Sequence, residues 1–334
     1  MKANGSSKGD GWIPPGPIAL PPFYAWPPRP MAVIKWLFGM PGFLWPMNSA
    51  TLAITGITWC FLTPSLENMK SLGAWWVMVI LLRNFALVGI FVGGLHVYLL
   101  VLGGQGDALK FSTRPLAKNN GRFLFRDQLR DNIVRTLFTA VPILTAFEVA
   151  TYWLFANIFI PGASIGASPA AFWLLFAGGL LAAPAIHALH FYLTHRVLHW
   201  PPLYRSVHRI HHNNVEVGPW SGLAMHPVEL ALYFSTVCIQ WLVAVHPVNA
   251  LFQLQIAVFN AAVSHTGFER VIVGGRIPLE SNNYFHYLHH KLFDCNFGST
   301  LVPMDQLFGT FHDGTPGSFD ALRRRKQGRP RPPS

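Results

Sequence analysis

The sequence is short of charge. Only 12% of its 334 residues are Asp, Glu, Lys or Arg, while 51% are apolar; soluble domains carry about 25% charged residues. That deficit excludes an ordinary soluble globule and points to a chain that meets lipid. Cysteine is scarce as well. Cys60, Cys238 and Cys295 are too few and too scattered for a disulfide framework or a thiolate metal site. Acids are outnumbered, 14 against 25 Lys and Arg, for a formal net charge of +11. The basic residues form no readout element. They sit before, between and after apolar stretches, as cytoplasmic loops beside anionic headgroups do, and no nucleic-acid partner is expected. There is no long internal repeat. The N-terminus has no continuous apolar core before Met31 and does not read as a cleavable signal peptide.

Apolar and aromatic residues fill the space left by charge, with 12 Trp and 26 Phe. Residues 1–47 read as a Pro-rich membrane-surface arm in extended or polyproline form, with Trp26, Trp36 and Trp45 near the interface. Stretches 48–64, 74–102, 136–160 and 171–194 are apolar. A further run, 228–263, is interrupted at His246-Pro247 and suits a hairpin of two short helices. Residues 48–135 then form an N-terminal transmembrane hairpin and a basic loop, whose 103–135 part holds seven Lys/Arg against three acids. Residues 136–313, which hold 14 of the 15 histidines, form the main domain. Residues 314–334, with Arg323, Arg324, Arg325 and Lys326, form a basic disordered tail. The positive-inside rule places the arm, the basic loop, the tail and segments 195–227 and 264–334 on the cytoplasmic side. The expected fold is an all-α, multi-pass integral membrane protein. It has four to six transmembrane or re-entrant helices and a cytoplasmic, histidine-rich, di-metal helical cap.

Thirteen of the 15 histidines lie between His187 and His290. Three groups are regularly spaced: His195 with His199, His208 with His211 and His212, and His286 with His289 and His290. Positions i, i+3 and i+4 share one face of a helix, so each group aims two or three imidazoles in one direction. Imidazole suits iron, copper, zinc and nickel. Eight such ligands exceed the three or four that one zinc takes, and fit two ions in one site. A lone histidine is more often an ordinary core or surface residue; three spaced groups within about one hundred residues are not coincidence.

The pattern His-Arg-x-x-His, His-x-x-His-His and a distant His-x-x-His-His resembles the fatty acid hydroxylase / sterol desaturase superfamily. Phe191-Tyr192 before the first box, His226-Pro227-Val228-Glu229 after the second, and Asn296-Phe297-Gly298 with Asp305-Gln306-Leu307-Phe308-Gly309-Thr310 after the third add to the likeness, which covers about 130–313. The resemblance implies that His195, His199, His208, His211, His212, His286, His289 and His290 bind two iron ions that activate dioxygen; zinc can fill such a site in a purified sample. It also implies a ninth histidine between boxes two and three. His265 is the candidate by position and His226 the other, its following proline suggesting a packed turn. His187 and His190 stand where many members carry an acid and are possible additional site residues, while His96, His246 and His312 read as structural. The activity implied is a dioxygen-dependent hydroxylase or desaturase of a sterol, fatty acyl chain or aminolipid. Its electrons would come from a separate electron-transfer protein and an NAD(P)H-dependent reductase. The alternative is a histidine-rich membrane metal-binding or transport protein without oxidase activity.

Ligating imidazoles usually donate their second N–H to a carboxylate, amide or carbonyl. Asn213, Asn214, Glu216, Glu269, Asn282, Asn283 and Asp294 are near in sequence for that role, and Tyr192, Trp220 and Phe285 for lining a substrate channel. Glu148 and Arg83 fall inside apolar runs, where an ionisable group is paired or functional. A partnership of Glu148 with Arg83 or with His187 is expected.

Overall fold

The computed structural model describes residues 11–112, 114–160 and 168–327. Among these residues the chain is almost wholly helical. It starts with the short helix α1 (Pro30–Phe38), followed by α2 (Met47–Leu62) and α3 (Ala74–His96), which runs on through a π turn to Val101. Next come α4 (Gln128–Arg135) and α5 (Val141–Ala156), joined by a second π turn, and the 30-residue α6 (Pro169–Leu198). The short α7 (Pro201–Leu203) and α8 (Arg209–His212) lead to α9 (Pro227–Phe234), α10 (Gln240–Val243) and α11 (Pro247–Ser264). A two-stranded antiparallel hairpin, β1 (Val271–Val273) and β2 (Ile277–Leu279), precedes α12 (Asn283–Leu292), α13 (Met304–Leu307) and α14 (Pro316–Gln327).

Helix starts follow local chemistry. Asp127 accepts from the Arg130 N–H at 2.9 Å to cap α4, and Ser168 accepts from Ala171 N–H at 3.3 Å to cap α6. Both His-Pro pairs open helices. The proline takes the first helical position and the preceding imidazole Nδ1 accepts an orphan N–H, His226 from Val228 at 3.2 Å and His246 from Val248 at 3.3 Å.

Three segments, Ala74–Val101, Gln128–Ala156 and Pro169–Leu198, are long and apolar enough to cross a membrane. At 1.5 Å per residue each reaches about 40 Å, against a hydrocarbon core of about 30 Å. Their outer faces expose large apolar groups such as Leu82, Ile90 and Leu174, the surface a membrane would cover. Two shorter apolar helical segments, Met47–Leu62 and Pro227–Val243, accompany them. The 228–263 run does form two helical pieces. Its second piece, α11, is buried nearly all round and is the central post of the fold, packed on α2, α6 and the Pro219–Leu223 turn. Gly222 allows that last approach, because a Cβ there would lie 2.2 Å from the Ala261 carbonyl oxygen.

Buried polar groups are paired across helices. Glu148 on α5 takes Arg83 of α3 as its ion partner. It also accepts from Asn84 Nδ2 at 2.9 Å and from the Tyr152 hydroxyl at 2.6 Å. The expected Glu148–Arg83 partnership is therefore present, and His187 is not the partner.

Three sequence expectations need correction. The arm is not extended throughout: with Pro30 presetting the first turn and no proline until Pro41, residues 30–38 become α1. Trp36 is not an outward anchor; it is half-buried and faces a cavity, while Trp26 and Trp45 are exposed. The tail is not disordered from 314. Asp313 accepts from Thr315 N–H and Ser318 Oγ at the start of α14, and Leu322 is buried. Only 328–334 lie outside the described residues, as do 1–10 of the arm and 161–167 of the uncharged loop after α5.

Candidate metal centre

His195 and His199, one turn apart at the end of α6, point toward α8 and α12. The structure gathers nine imidazoles there in two groups. The first holds His195, His199, His208, His212 and His289; the second holds His211, His265, His286 and His290. Each His-x-x-His-His box is split between them. The i, i+4 pair His208/His212 joins the first group and His211 the second, whereas the i, i+4 pair His286/His290 joins the second group and His289 the first. The groups abut, with the His212 and His290 rings 4.8 Å apart between centroids.

Within each group the Nε2 atoms face one another. His195 and His208 stand 2.9 Å apart, His199 lies 3.1 Å from His289, and His212 lies 3.1 Å from His289. In the second group His265 lies 3.1 Å from both His286 and His290, and 3.3 Å from His211. The far nitrogens identify the tautomers. His195 Nδ1 donates to the Phe297 carbonyl at 2.6 Å, His289 Nδ1 to Cys295 carbonyl at 2.6 Å, and His265 Nδ1 to Ala261 carbonyl at 2.8 Å. His208 Nδ1 meets the Glu229 carboxyl group at 2.7 Å, an acid that burial pushes well up. Burial, then neighbouring imidazoles, hold His208, His211, His212, His286, His289 and His290 well below the usual histidine range, so these rings are neutral. His195 and His289 thus present bare Nε2 lone pairs within the first group, and His265 does so in the second. A cation in each group would engage those lone pairs, and the all-nitrogen donor set fits a transition metal. Both groups are able to hold a metal ion.

The other predicted residues fall elsewhere. His226 caps α9 and belongs to neither group. His190 Nε2 meets Ser235 Oγ at 3.0 Å, and His187 lies 3.5 Å from the Tyr233 hydroxyl at the wall of a cavity. His246 caps α11, and His312 packs on Phe319 at 4.4 Å. Among the described residues, none of Asn213, Asn214, Glu216, Glu269, Asn282 and Asn283 is seen bonding a clustered imidazole ring. Asn214 Nδ2 reaches the His211 backbone carbonyl at 3.1 Å, Asn283 Nδ2 reaches Val263 carbonyl at 3.0 Å, and Asp294 pairs with Lys326. Glu269 is pushed up to about 7 by burial and by Glu280 beside it. Sequence reasoning missed Glu229 and three backbone carbonyls. Glu229 was visible in the His226-Pro227-Val228-Glu229 motif. The carbonyls had an indirect signal in Asp305, which accepts from Phe297 N–H at 2.9 Å and Gly298 N–H at 2.8 Å, and so fixes the loop whose carbonyl holds His195.

A cavity of about 270 Å³ opens onto the second group. His211, His265 and His286 line it; no member of the first group does. Phe191, Met225 and Tyr233 make its apolar body. Tyr192, Trp220 and Phe285 do not line it: Tyr192 stacks on Phe308, Trp220 belongs to the main core and Phe285 packs on Phe311.

Residues 180–310 match the family model for fatty acid hydroxylase. A Delta(7)-sterol 5(6)-desaturase of Candida glabrata is 27% identical over 39% of this chain and 35% of its own length. Methylsterol monooxygenase erg25B of Aspergillus fumigatus is 32% identical over 41% of this chain and 47% of its own. Very-long-chain aldehyde decarbonylase GL1-11 of Oryza sativa is 29% identical over 43% and 56%. The matches thus span from about a third to just over half the length of these relatives. No solved structure matches.

Proposed function

We propose that the protein is a membrane-bound di-iron oxygenase that hydroxylates or desaturates a C–H bond of a lipid: a sterol, fatty acyl chain or aminolipid. The observation that carries this reading is the pair of imidazole groups with a cavity opening on one of them, walled by Phe191, Met225 and Tyr233 and also by polar groups such as Glu280 and Asn260. His195, His199, His208, His212 and His289 would hold one ion, and His211, His265, His286 and His290 the other. Iron in those positions would supply the dioxygen chemistry that no amino-acid side chain can perform. The family resemblance favours iron over zinc, as does the first group's donor number of five, above zinc's usual four.

The chain's own residues do the rest. Glu229 and the carbonyls of Phe297, Cys295 and Ala261 hold the rings of His208, His195, His289 and His265, so that their Nε2 atoms are aimed before a metal arrives. Phe191, Met225 and Tyr233 keep the cavity dry and hold an alkyl body against the second group. Hydroxylation puts one oxygen atom of dioxygen into the C–H bond and reduces the other to water, which takes two electrons and two protons. A separate electron-transfer protein and an NAD(P)H-dependent reductase supply the electrons. Three helices long and apolar enough to span support a membrane location, and the basic segments favour a cytoplasmic face for the histidines. A transport protein is not favoured, because the histidines are gathered at one place instead of strung along a path.

The test is metal analysis of the purified protein, with dioxygen uptake and mass spectrometry of lipids formed under isotope-labelled dioxygen. Two irons per chain and reductant-dependent uptake are expected, with label in the lipid if the product is an alcohol and a mass loss of two hydrogens if it is an alkene. One zinc per chain and no uptake sinks the reading.

A further inference from the structure

We infer that the arm from Pro21 to Asn48 is the specificity element of this cavity, with Trp36 and Phe43 setting which carbon of a bound lipid reaches the second histidine group. The inference rests on the lipid-oxygenase reading above and goes on to say what chooses the lipid.

Every described residue that lines the cavity upstream of Pro184 belongs to this arm; Trp36, Gly42, Phe43 and Met47 are among them. The facing wall, from Phe191 to Leu301, lies inside the stretch 180–310 that matches the family model. One side of the cavity is therefore supplied by that stretch and the other by a segment outside it. The volume of about 270 Å³ falls just under the range of roughly 300–1,000 Å³ for sites that enclose a small ligand. A lipid is held by one part only, and the wall that part meets decides how far it enters.

That wall is braced. Trp36 and Phe43 have ring centroids 5.1 Å apart, and Phe23 meets Trp36 edge-on at 5.2 Å. Phe43 N–H donates to the Trp36 carbonyl at 2.7 Å, and Leu44 N–H to the Leu37 carbonyl at 3.0 Å, folding the arm back on α1. The Tyr24 hydroxyl ties it to Leu301 carbonyl at 2.9 Å, and just upstream Trp12 N–H is held by Lys110 carbonyl at 2.7 Å and Ile18 N–H by Asp313 carbonyl at 2.8 Å. Leu301 itself lines the cavity. On the opposite side of α1, Met31, Ile34 and Phe38 are exposed at i, i+3 and i+7, an apolar stripe suited to a lipid surface. The arm thus has lipid on one side and the reaction cavity on the other. A misplacement of 1 Å at a reacting atom costs on the order of 100-fold in rate, so a wall held this firmly selects position as well as size.

The test compares full-length wild type with Phe43→Ala and Trp36→Ala. Each is expressed in a host supplied with acyl lipids of graded chain length and with methylsterols. Products and co-purified lipid are both read by mass spectrometry. The expected result is a shift on the order of tenfold in the ratio of longer or bulkier to shorter products, with metal per chain unchanged. Co-purified lipid shifts the same way, a reading that needs no turnover. Unchanged ratios in both readouts, with metal retained, overturn the inference. Where an alanine variant loses metal, Phe43→Leu or Trp36→Phe is read in its place by the same criteria. A wild type that forms no dioxygen-dependent product defeats the oxygenase reading instead, and its co-purified lipid still reports on the arm.

Discussion

The two histidine groups look alike in sequence and are built differently. In the first, three of five rings have Nδ1 fixed by an oxygen partner, one of them a buried carboxyl group, and none of the five touches the main cavity. In the second, His265 has its Nδ1 on a backbone carbonyl in the same manner while His290 Nδ1 has no partner among the described residues, and three of four rings line the cavity. One group is braced and stands clear of the cavity, with only His199 partly exposed; the other is wholly buried and faces the cavity. The difference assigns retention to the first and contact with substrate to the second.

The comparison breaks most visibly on loss of a ligand. His289→Ala removes a ring from the braced group, and His286→Ala one from the cavity-facing group. Both are expected to lower activity by more than about 100-fold, since even supporting residues of a metal site cost 10–100-fold. Metal analysis separates them. Each variant should fall toward one tightly held ion per chain, and wild type treated with a chelator should lose its cavity-side ion first. Full activity in either variant, or equal rates of loss of the two ions from wild type, contradicts the division.

Glu229→Gln is the next largest change. Burial pushes the Glu229 carboxyl well up, and a cation at His208 would draw it into its ionised form; the amide keeps the shape and an acceptor oxygen but cannot ionise, so that ring becomes a weaker donor to metal. The expected cost is about 10–100-fold in affinity for one ion, with the other unaffected. Stepwise metal titration of the stripped protein measures both. Equal weakening of the two ions would mean that Glu229 supports the whole centre and not one group.

Much of this was legible in the chain, for reasons that also mark where legibility stopped. Helix periodicity exposes an i, i+4 pair such as His195/His199, and low charge exposes α3, α5 and α6. The assignment of ligands to ions was not legible. Neighbours such as His211 and His212 diverge by one residue's rotation and serve different groups, which depends on where α12 and His265 lie. Backbone carbonyl partners carry no residue signature, so Phe297 and Cys295 could not be read off the sequence, whereas Glu229 could have been. The tail misled because its composition is polar, while one buried residue, Leu322, and the Asp313 cap are enough to keep α14 helical. Trp36 misled because a tryptophan near a membrane serves an interface or a cavity equally well, and only packing against Phe43 decides.

The smallest expected effect settles the ninth ligand. His265 has Nε2 at 3.1–3.3 Å from three other rings, so His265→Ala should behave as His286→Ala does. His226→Ala should leave both ions in place and activity within about twofold, losing on the order of 1 kcal/mol or less of stability as an α9 cap. The molecule holds its own control for that reading. His246 precedes a proline, accepts the N–H two residues on and starts a helix in the same way, yet it belongs to neither group. A His-Pro pair in this chain is therefore a helix start, and its imidazole is committed through Nδ1 to the backbone. His246→Ala and His226→Ala should lower the melting temperature by similar small amounts. Loss of metal in His226→Ala alone would show that the second group extends beyond its four rings.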